Sequence, residues 1–412
     1  MKKKMRYDSS IPVSLASSTI EKKVVILGMF INGATMQRHL CKIGCRVWGV
    51  SHIKEEGFYS RYGIKILCPD PEKDFEKWTA FMVKLGQEIG DRPALIPTSD
   101  YYVVAVGNAV KQLGPHYRFH GFGNAIRIQL TYKHSQLEMA ERNGFPVPKW
   151  KLVRSVDDVL SFTRDMKSKI ILKPVLSHQW RFNPEVFGSR KVLIAERVSE
   201  LINLYKEIEQ YCDELVAIEY IPGPDENLLY WCGFANEDST IGGSLIGQKK
   251  RLNPIHFGSA SYVQLIQEPA LEQLCSDFIK RIHFQGLCGI EVKRDLHDGY
   301  KLIEINPRYG LWEDIGIPVG VDLAKQAVDC LYGDHIAPVQ PHSYNIRWVA
   351  WHRDIPMLPH YLKEKYGFFQ WIWSLRPPII VNDLPLFDIK YILKIFILQL
   401  HSLLNRIFKR HE

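Results

Sequence analysis

The chain has 412 residues, with 53 Lys and Arg against 45 Asp and Glu, a formal net charge of +8, 46% hydrophobic and 24% charged residues. That is enough for about two to four domains with cores of their own, and it excludes a disordered or low-complexity chain. The positive excess is moderate and diffuse, which suits anionic small ligands or an anionic membrane surface and argues against a nucleic-acid partner.

The eight cysteines, at 41, 45, 68, 212, 232, 275, 288 and 330, form no Cys-x-x-Cys pair and sit mostly in apolar runs. They read as buried free thiols in a reducing, cytoplasmic setting. The N-terminus, Met1-Lys2-Lys3-Lys4-Met5-Arg6, is basic but is followed by a Ser-rich stretch without a sustained apolar run, so a secretory signal is not expected. Residues 1–20 read as a flexible arm.

Val24-Val25-Ile26-Leu27-Gly28 predicts a buried parallel strand. Asn32-Gly33 then opens a helix through Met36, Leu40 and Ile43, Gly44 stops it, and Arg46–Val50 returns as a strand. Gly28 and Gly33 alone do not make a dinucleotide fingerprint, so the unit reads as an α/β scaffold lining a substrate cleft. Strands are expected at 64–68 and 94–97. Thr98-Ser99-Asp100 follows the second directly, either as ligand groups past a strand's C-terminal end or as caps of the helix 102–113.

A new segment starts near Thr131. A helix from Tyr132-Lys133-His134 ends at Asn143-Gly144, and Phe145-Pro146-Val147-Pro148 is extended. A strand at 169–174 delivers Lys173. Residues 176–190 read as a loop that could close over phosphates, and 191–194 as a returning strand. A strand over 215–221 ends at Pro222-Gly223. Glu226, an alternating run over 228–234, the basic stretch Gln248-Lys249-Lys250-Arg251 and an amphipathic helix over 271–284 follow.

Gly289–Asp295 and Lys301–Asn306 alternate around Asp298-Gly299, a strong hairpin signal. A turn centred between His297 and Asp298 sets Glu291 opposite Glu304, and Asn306 shares a face with Glu304. Three oxygen ligands on one surface suit Mg²⁺ with water and phosphate oxygens. Pro307 ends the ladder, and Arg308 is placed to hold a phosphate or oxyanion. A lone Glu-x-Asn would read as a solvated hairpin face; the order acid, hairpin, acid-x-Asn-Pro-Arg points to a site.

Taken together, Lys133, Lys173-Pro174, Glu219-Tyr220-Ile221-Pro222-Gly223, Glu226, Glu291 and Glu304-Ile305-Asn306-Pro307-Arg308 resemble the ATP-grasp superfamily over roughly residues 22–330. The similarity is to carboxylate–amine ligases of the D-aspartate ligase and carbamoyl-phosphate synthase type. The resemblance implies an α/β and α+β chain with a Rossmann-like pre-ATP-grasp domain (21–130), two ATP-grasp lobes (131–214 and 215–330) and a C-terminal extension (331–412). It implies ATP and Mg²⁺, with Mn²⁺ as a substitute, and small carboxylate and amine substrates joined through an acylphosphate. Lys133 and Lys173 look like the lysines on the ATP phosphates, with Lys249 and Arg251 as further phosphate contacts. Glu219, Tyr220 and Ile221 resemble the adenine-binding segment, and Glu226 the ribose-binding acid. Glu291, Glu304 and Asn306 resemble the metal ligands, and Arg308 the arginine that steadies the transferred phosphoryl group. Asn32, Gly33, Thr98, Ser99 and Asp100 resemble acceptor-binding positions. The alternative from another class is a regulatory or membrane-recruited nucleotide binder without turnover.

The tail carries four of the ten tryptophans, at 348, 351, 371 and 373, and Asp388 stands where it could cap a helix over 389–409. Lys394, Gln399, His401, Asn405 and Arg406 argue against a membrane span. The helix either packs on the domain or a second subunit in a homodimer, or lies peripherally on the inner face of an anionic membrane.

Overall fold

The computed structural model describes residues 21–123, 125–164, 168–176, 180, 192–212, 214–295, 299–364, 367–381, 385 and 387–408. The arm 1–20, most of the loop 176–190 and the turn residues 296–298 lie outside the described residues.

Short strands of four to six residues build the first sheet, from β1 (Lys23–Leu27), β2 (Arg46–Ser51), β3 (Ile64–Leu67) and β4 (Ala94–Pro97). They pair in the order β3-β2-β1-β4, all parallel, as buried βαβ units do. The helix Ile31–Lys42 starts one residue earlier than Asn32 and packs tightly under β1. A Cβ on Gly33 would stand 2.1 Å from the Gly28 carbonyl oxygen, so only glycine fits there. Ser99 caps the next helix, Asp100–Asn108, by accepting from the Tyr102 amide.

The second sheet is small and antiparallel. It comprises β5 (Trp150–Val153), β6 (Ile170–Pro174), β7 (Leu193–Ala195) and β8 (Leu215–Glu219), in the order β5-β8-β6-β7. Because β8 lies between β5 and β6, the chain leaves this lobe at 220–227, after β8, and not before it.

The third sheet has seven strands in the order β13-β12-β9-β10-β11-β14-β15. These are β9 (Leu228–Ala235), β10 (Ile241–Asn253), β11 (Ser259–Ile266), β12 (Gly286–Asp295), β13 (Gly299–Asn306), β14 (Arg347–Val349) and β15 (Ile379–Val381). The tail is therefore part of this lobe, since β14 and β15 extend its sheet. At the opposite end, β13 is the terminal strand. The Ile305 amide donates to Gln136 Oε1 at 2.6 Å and the Leu302 amide to the Pro146 carbonyl at 2.9 Å, so the first helix and linker of the middle lobe cover that edge.

One apolar cluster joins β1 and the helix 31–42 to β9, β10, the 313–319 turn and the helix Leu323–Leu331. The N-terminal sheet is thus seated on the large lobe by a shared core. All eight cysteines are free.

Asp388 is fully buried, and its carboxylate accepts from Ser60 Oγ at 2.5 Å and from the Arg61 amide at 2.9 Å. It ties the last helix, Ile389–Phe408, to the first domain, a tertiary use of a residue that local sequence presents as a cap. Tyr391 and Ile395 are buried against that domain, and the Arg38 guanidinium stands 4.5 Å from the Tyr391 ring centroid. Among the described residues no helix is long and apolar enough to cross a membrane.

Candidate active site between the lobes

The β12–β13 ladder sets Glu291 opposite Glu304, and Gly289 opposite Asn306. This is the pairing expected at these positions; between Glu291 and Val292 the ladder shifts by one, with Val292 opposite Leu302, so nearer the turn it departs from strict alternation. β13 stops at Asn306, before Pro307, whose missing N–H cannot extend the ladder. The two glutamates and Asn306 thereby face the space beneath β6. Among the described residues no three His, Cys, Asp or Glu side chains form a metal cluster; the third oxygen here is an amide. Two carboxylates and a carboxamide form a hard-oxygen set that fits Mg²⁺ with water and phosphate completing its shell.

Each glutamate faces a lysine. Lys249 Nζ on β10 lies 2.5 Å from Glu291 Oε2, and Lys133 Nζ, at the start of the helix Lys133–Arg142, is paired with Glu304 Oε1. Lys173, on β6, has its pKa lowered by burial and by Lys133, against the pull of Glu304 and Glu291. The three ammonium groups and two carboxylates form one electrostatic cluster, although they come from four strands and a helix spread from residue 133 to 304.

Arg308 is held by Asp100 from the first domain. Its Nε donates to Asp100 Oδ1 at 2.7 Å, and its Nη2 to Asn306 Oδ1 at 2.9 Å. Burial works against the guanidinium charge, but Asp100 outweighs it and raises the pKa. Asn32 Nδ2 bridges the same domains, donating to the Thr98 carbonyl at 2.8 Å and the Tyr309 carbonyl at 3.0 Å. Thr98 Oγ1 in turn donates to the Gly28 carbonyl at 2.8 Å. Of the first-domain residues singled out in the sequence, Asp100 reaches Arg308 directly and Asn32 and Thr98 lie next to its neighbour Tyr309, while Gly33 packs on Gly28 and Ser99 caps a helix.

The crossing 219–227 forms the other wall. Glu219 ends β8 and accepts from the Lys149 amide at 3.2 Å; Ile221 is buried; and Glu226, half-buried in a short 3₁₀ turn, gives its carbonyl to Gln248 Nε2 at 2.8 Å. Lys293, which the motif reading passed over, stands 5.1 Å from the Tyr220 ring centroid and donates to the Gly223 carbonyl at 2.8 Å. Its signal was its position two residues beyond Glu291, on the same face of β12.

Arg251 is elsewhere. Strict alternation would give 249 and 251 one face, but the β10–β11 register shifts between Lys249 and Arg251. The bulge turns Arg251 away. Arg251 is 2% exposed and makes two bonds to Asp354, Nε to Oδ1 at 2.7 Å and Nη2 to Oδ2 at 2.9 Å. It is a core ion pair holding the tail, and the phosphate contact expected of it is corrected.

Sequence reading also missed Glu313. Its Oε1 accepts from the Gly310 amide at 2.6 Å, and burial pushes its pKa up to about 8 against that bond and Arg308.

No family model matches the chain. Over 239 residues it is 25% identical to the D-aspartate ligase of Enterococcus faecium (strain Aus0004), covering 56% of this chain and 56% of that protein. The chain thus spans a little over half the length of that curated relative. Among solved structures it resembles N5-carboxyaminoimidazole synthetase from Staphylococcus aureus, with a TM-score of 0.62, 16% identity and coverage of 84% of this chain and 86% of that one. It also resembles the L-amino acid ligase of Bacillus licheniformis, with a TM-score of 0.58, 13% identity and coverage of 76% and 74%. A third likeness is to the biotin carboxylase domain of Hydrogenobacter thermophilus 2-oxoglutarate carboxylase, solved with MgADP and bicarbonate, with a TM-score of 0.60, 16% identity and coverage of 77% and 71%. These are ATP-grasp enzymes. At these identities the likeness is one of fold, and the chain has the ATP-grasp fold.

Proposed function

We propose that this protein is an ATP- and Mg²⁺-dependent carboxylate–amine ligase that forms an amide and releases ADP and phosphate. The observation that carries the reading is the meeting, between two lobes, of Glu291, Glu304 and Asn306 with Lys133, Lys173, Lys249 and Arg308. A carboxylate does not condense with an amine in water because its leaving group is poor. Attack of a carboxylate oxygen on the γ-phosphorus breaks the bond to ADP and yields an acylphosphate. The amine nitrogen then attacks the acyl carbon, the C–O bond breaks, and phosphate leaves.

Such phosphoryl transfer needs alignment and charge neutralisation more than covalent help. Glu291, Glu304 and Asn306 would hold the metal, which supplies charge neutralisation at the phosphates, with Mn²⁺ able to replace Mg²⁺. Lys133, Lys173 and Lys249 take the phosphates. Glu219, Tyr220 and Ile221 take the adenine, and Glu226 the ribose. Arg308, aimed by Asp100 and Asn306, would meet the charge that grows on the transferred group and on the oxygen of the tetrahedral intermediate. Residues of the first domain hold the acceptor beside it. The named activity of the D-aspartate ligase supports an amino acid as one substrate. We place the reaction in the cytoplasm, in line with eight free thiols, and a homodimer is part of the proposal.

The test is phosphate release from ATP and Mg²⁺ with a panel of amino acids and other small acids, comparing the wild type with Glu304→Ala. Release that needs one acid–amine pair and vanishes in the variant is expected. Tight ATP binding without release for any pair would replace this reading by a regulatory nucleotide binder.

A further inference from the structure

The last helix is apolar on two opposite sides. Asp388, Tyr391 and Ile395 face the first domain. Ile389, Leu393, Phe396 and Ile397, at helical spacing on the other side, face outwards, with Ile389 68% and Phe396 64% exposed. A helix lying on a globular domain should turn polar residues outwards; this one turns its larger apolar face to solvent. The helix Phe368–Ser374 does the same, leaving Phe369 83% and Trp373 67% exposed while Trp371 is buried. Both helices pack against the short helix Trp351–Asp354: Trp371 Nε1 donates to Asp354 Oδ2 at 2.9 Å and its ring meets that of Trp351, and the last helix touches the same element. Exposed apolar side chains on neighbouring elements of this size mark an interaction surface.

Charge selects the partner. The sequence contains no Asp or Glu in 367–381 or in 389–411, while Arg376, Lys390, Arg406, Lys409 and Arg410 fall there; Lys394 is turned inwards, its Nζ 4.7 Å from the Tyr59 ring centroid. We propose that this face docks on an anionic lipid bilayer, the last helix lying in the interface plane with Trp373 at headgroup depth. A second copy of the chain would bring an equally basic face against it, and like charges would repel. Nothing in this inference depends on the nucleotide site.

The experiment is sedimentation of the full-length protein with phosphatidylcholine vesicles, with and without about 30% phosphatidylglycerol. The expected result is binding at least about ten-fold tighter to the anionic vesicles, weakened by salt, with a blue shift in tryptophan emission. Leu393→Asp/Phe396→Asp should reduce it by about ten-fold or more, and Arg376→Glu/Lys390→Glu should abolish the preference for anionic lipid. These side chains are outside the core, and unchanged thermal midpoints check that both variants fold. Equal sedimentation with both vesicle types, no sedimentation with either, or binding that survives Leu393→Asp/Phe396→Asp overturns the inference. So does a stable dimer that the same substitutions split while vesicles are ignored.

Discussion

Replacing Lys249 by Met tests whether the lysines of the site hold the metal's place. Lys249 Nζ stands 2.5 Å from Glu291 Oε2, with side chains only 7% and 12% exposed. A charge pair at ~4 Å and an effective dielectric of ~20 attracts by about 4 kcal/mol, and desolvation offsets much of it. A charge-assisted bond of this kind is worth about 1.5–3 kcal/mol net. A divalent ion binding Glu291 without nucleotide has to displace that ammonium. Removing it should therefore tighten Mn²⁺ binding to the nucleotide-free protein by about 10- to 100-fold, at about 1.4 kcal/mol per decade. With ATP present the sign reverses, because the phosphates lose a cation. The assay is a Mn²⁺ titration followed by the resonance of the free ion, with Lys133→Met as the matching change at Glu304. Mn²⁺ affinity that stays level or drops in nucleotide-free Lys249→Met would refute the reasoning.

Two further outcomes concern stability. Asp354→Ala strands the buried Arg251 guanidinium and removes the acceptor of Ser261 and Trp371, so it should lower unfolding free energy by about 3–5 kcal/mol, read by urea melts; Arg251→Met/Asp354→Leu should be milder. Glu313 has a folded-state pKa of about 8 against an ordinary 4.5. The folded protein therefore holds its proton more tightly than the unfolded chain, and the Glu313 contribution favours folding less as pH rises from about 4.5 to about 8. Glu313→Gln should flatten that decline in urea midpoints measured across the window, and an unchanged slope would contradict it.

The parts of the site legible in the sequence were those fixed by short-range periodicity. The alternation put Glu304 and Asn306 on one face and paired Glu291 with Glu304, but the one-residue shift between Glu291 and Val292 on the way to the turn was not legible. The strand–helix–strand start was legible for the same reason. Arg251 was not, because the ladder shifts by one residue between Lys249 and Arg251 and back between Arg251 and Leu252, and such an irregularity leaves no mark on composition. The bond between Asp100 and Arg308 spans 208 positions, and no local pattern encodes it. β14 and β15 are three residues each, too short to show a period, so their place in the large sheet comes from packing of the tail. The bonds from Ser60 and Arg61 to Asp388 likewise span more than 300 positions and have no local signal.

The covered outer edge of β13 bears on how the protein survives in solution. A terminal strand normally offers its unpaired amides as a template on which other chains aggregate. Here Gln136 and Pro146 occupy that template at Ile305 and Leu302. Their cover comes from the lobe that also supplies Lys133 and Lys173, so whatever draws those lysines down onto the large sheet also keeps the edge shut. Solubility and ligand occupancy are then linked. Excursions in which the helix 133–142 lifts off the sheet bare a sticky strand, and an anionic ligand held by Lys133 should suppress turbidity on warming even where no chemistry follows.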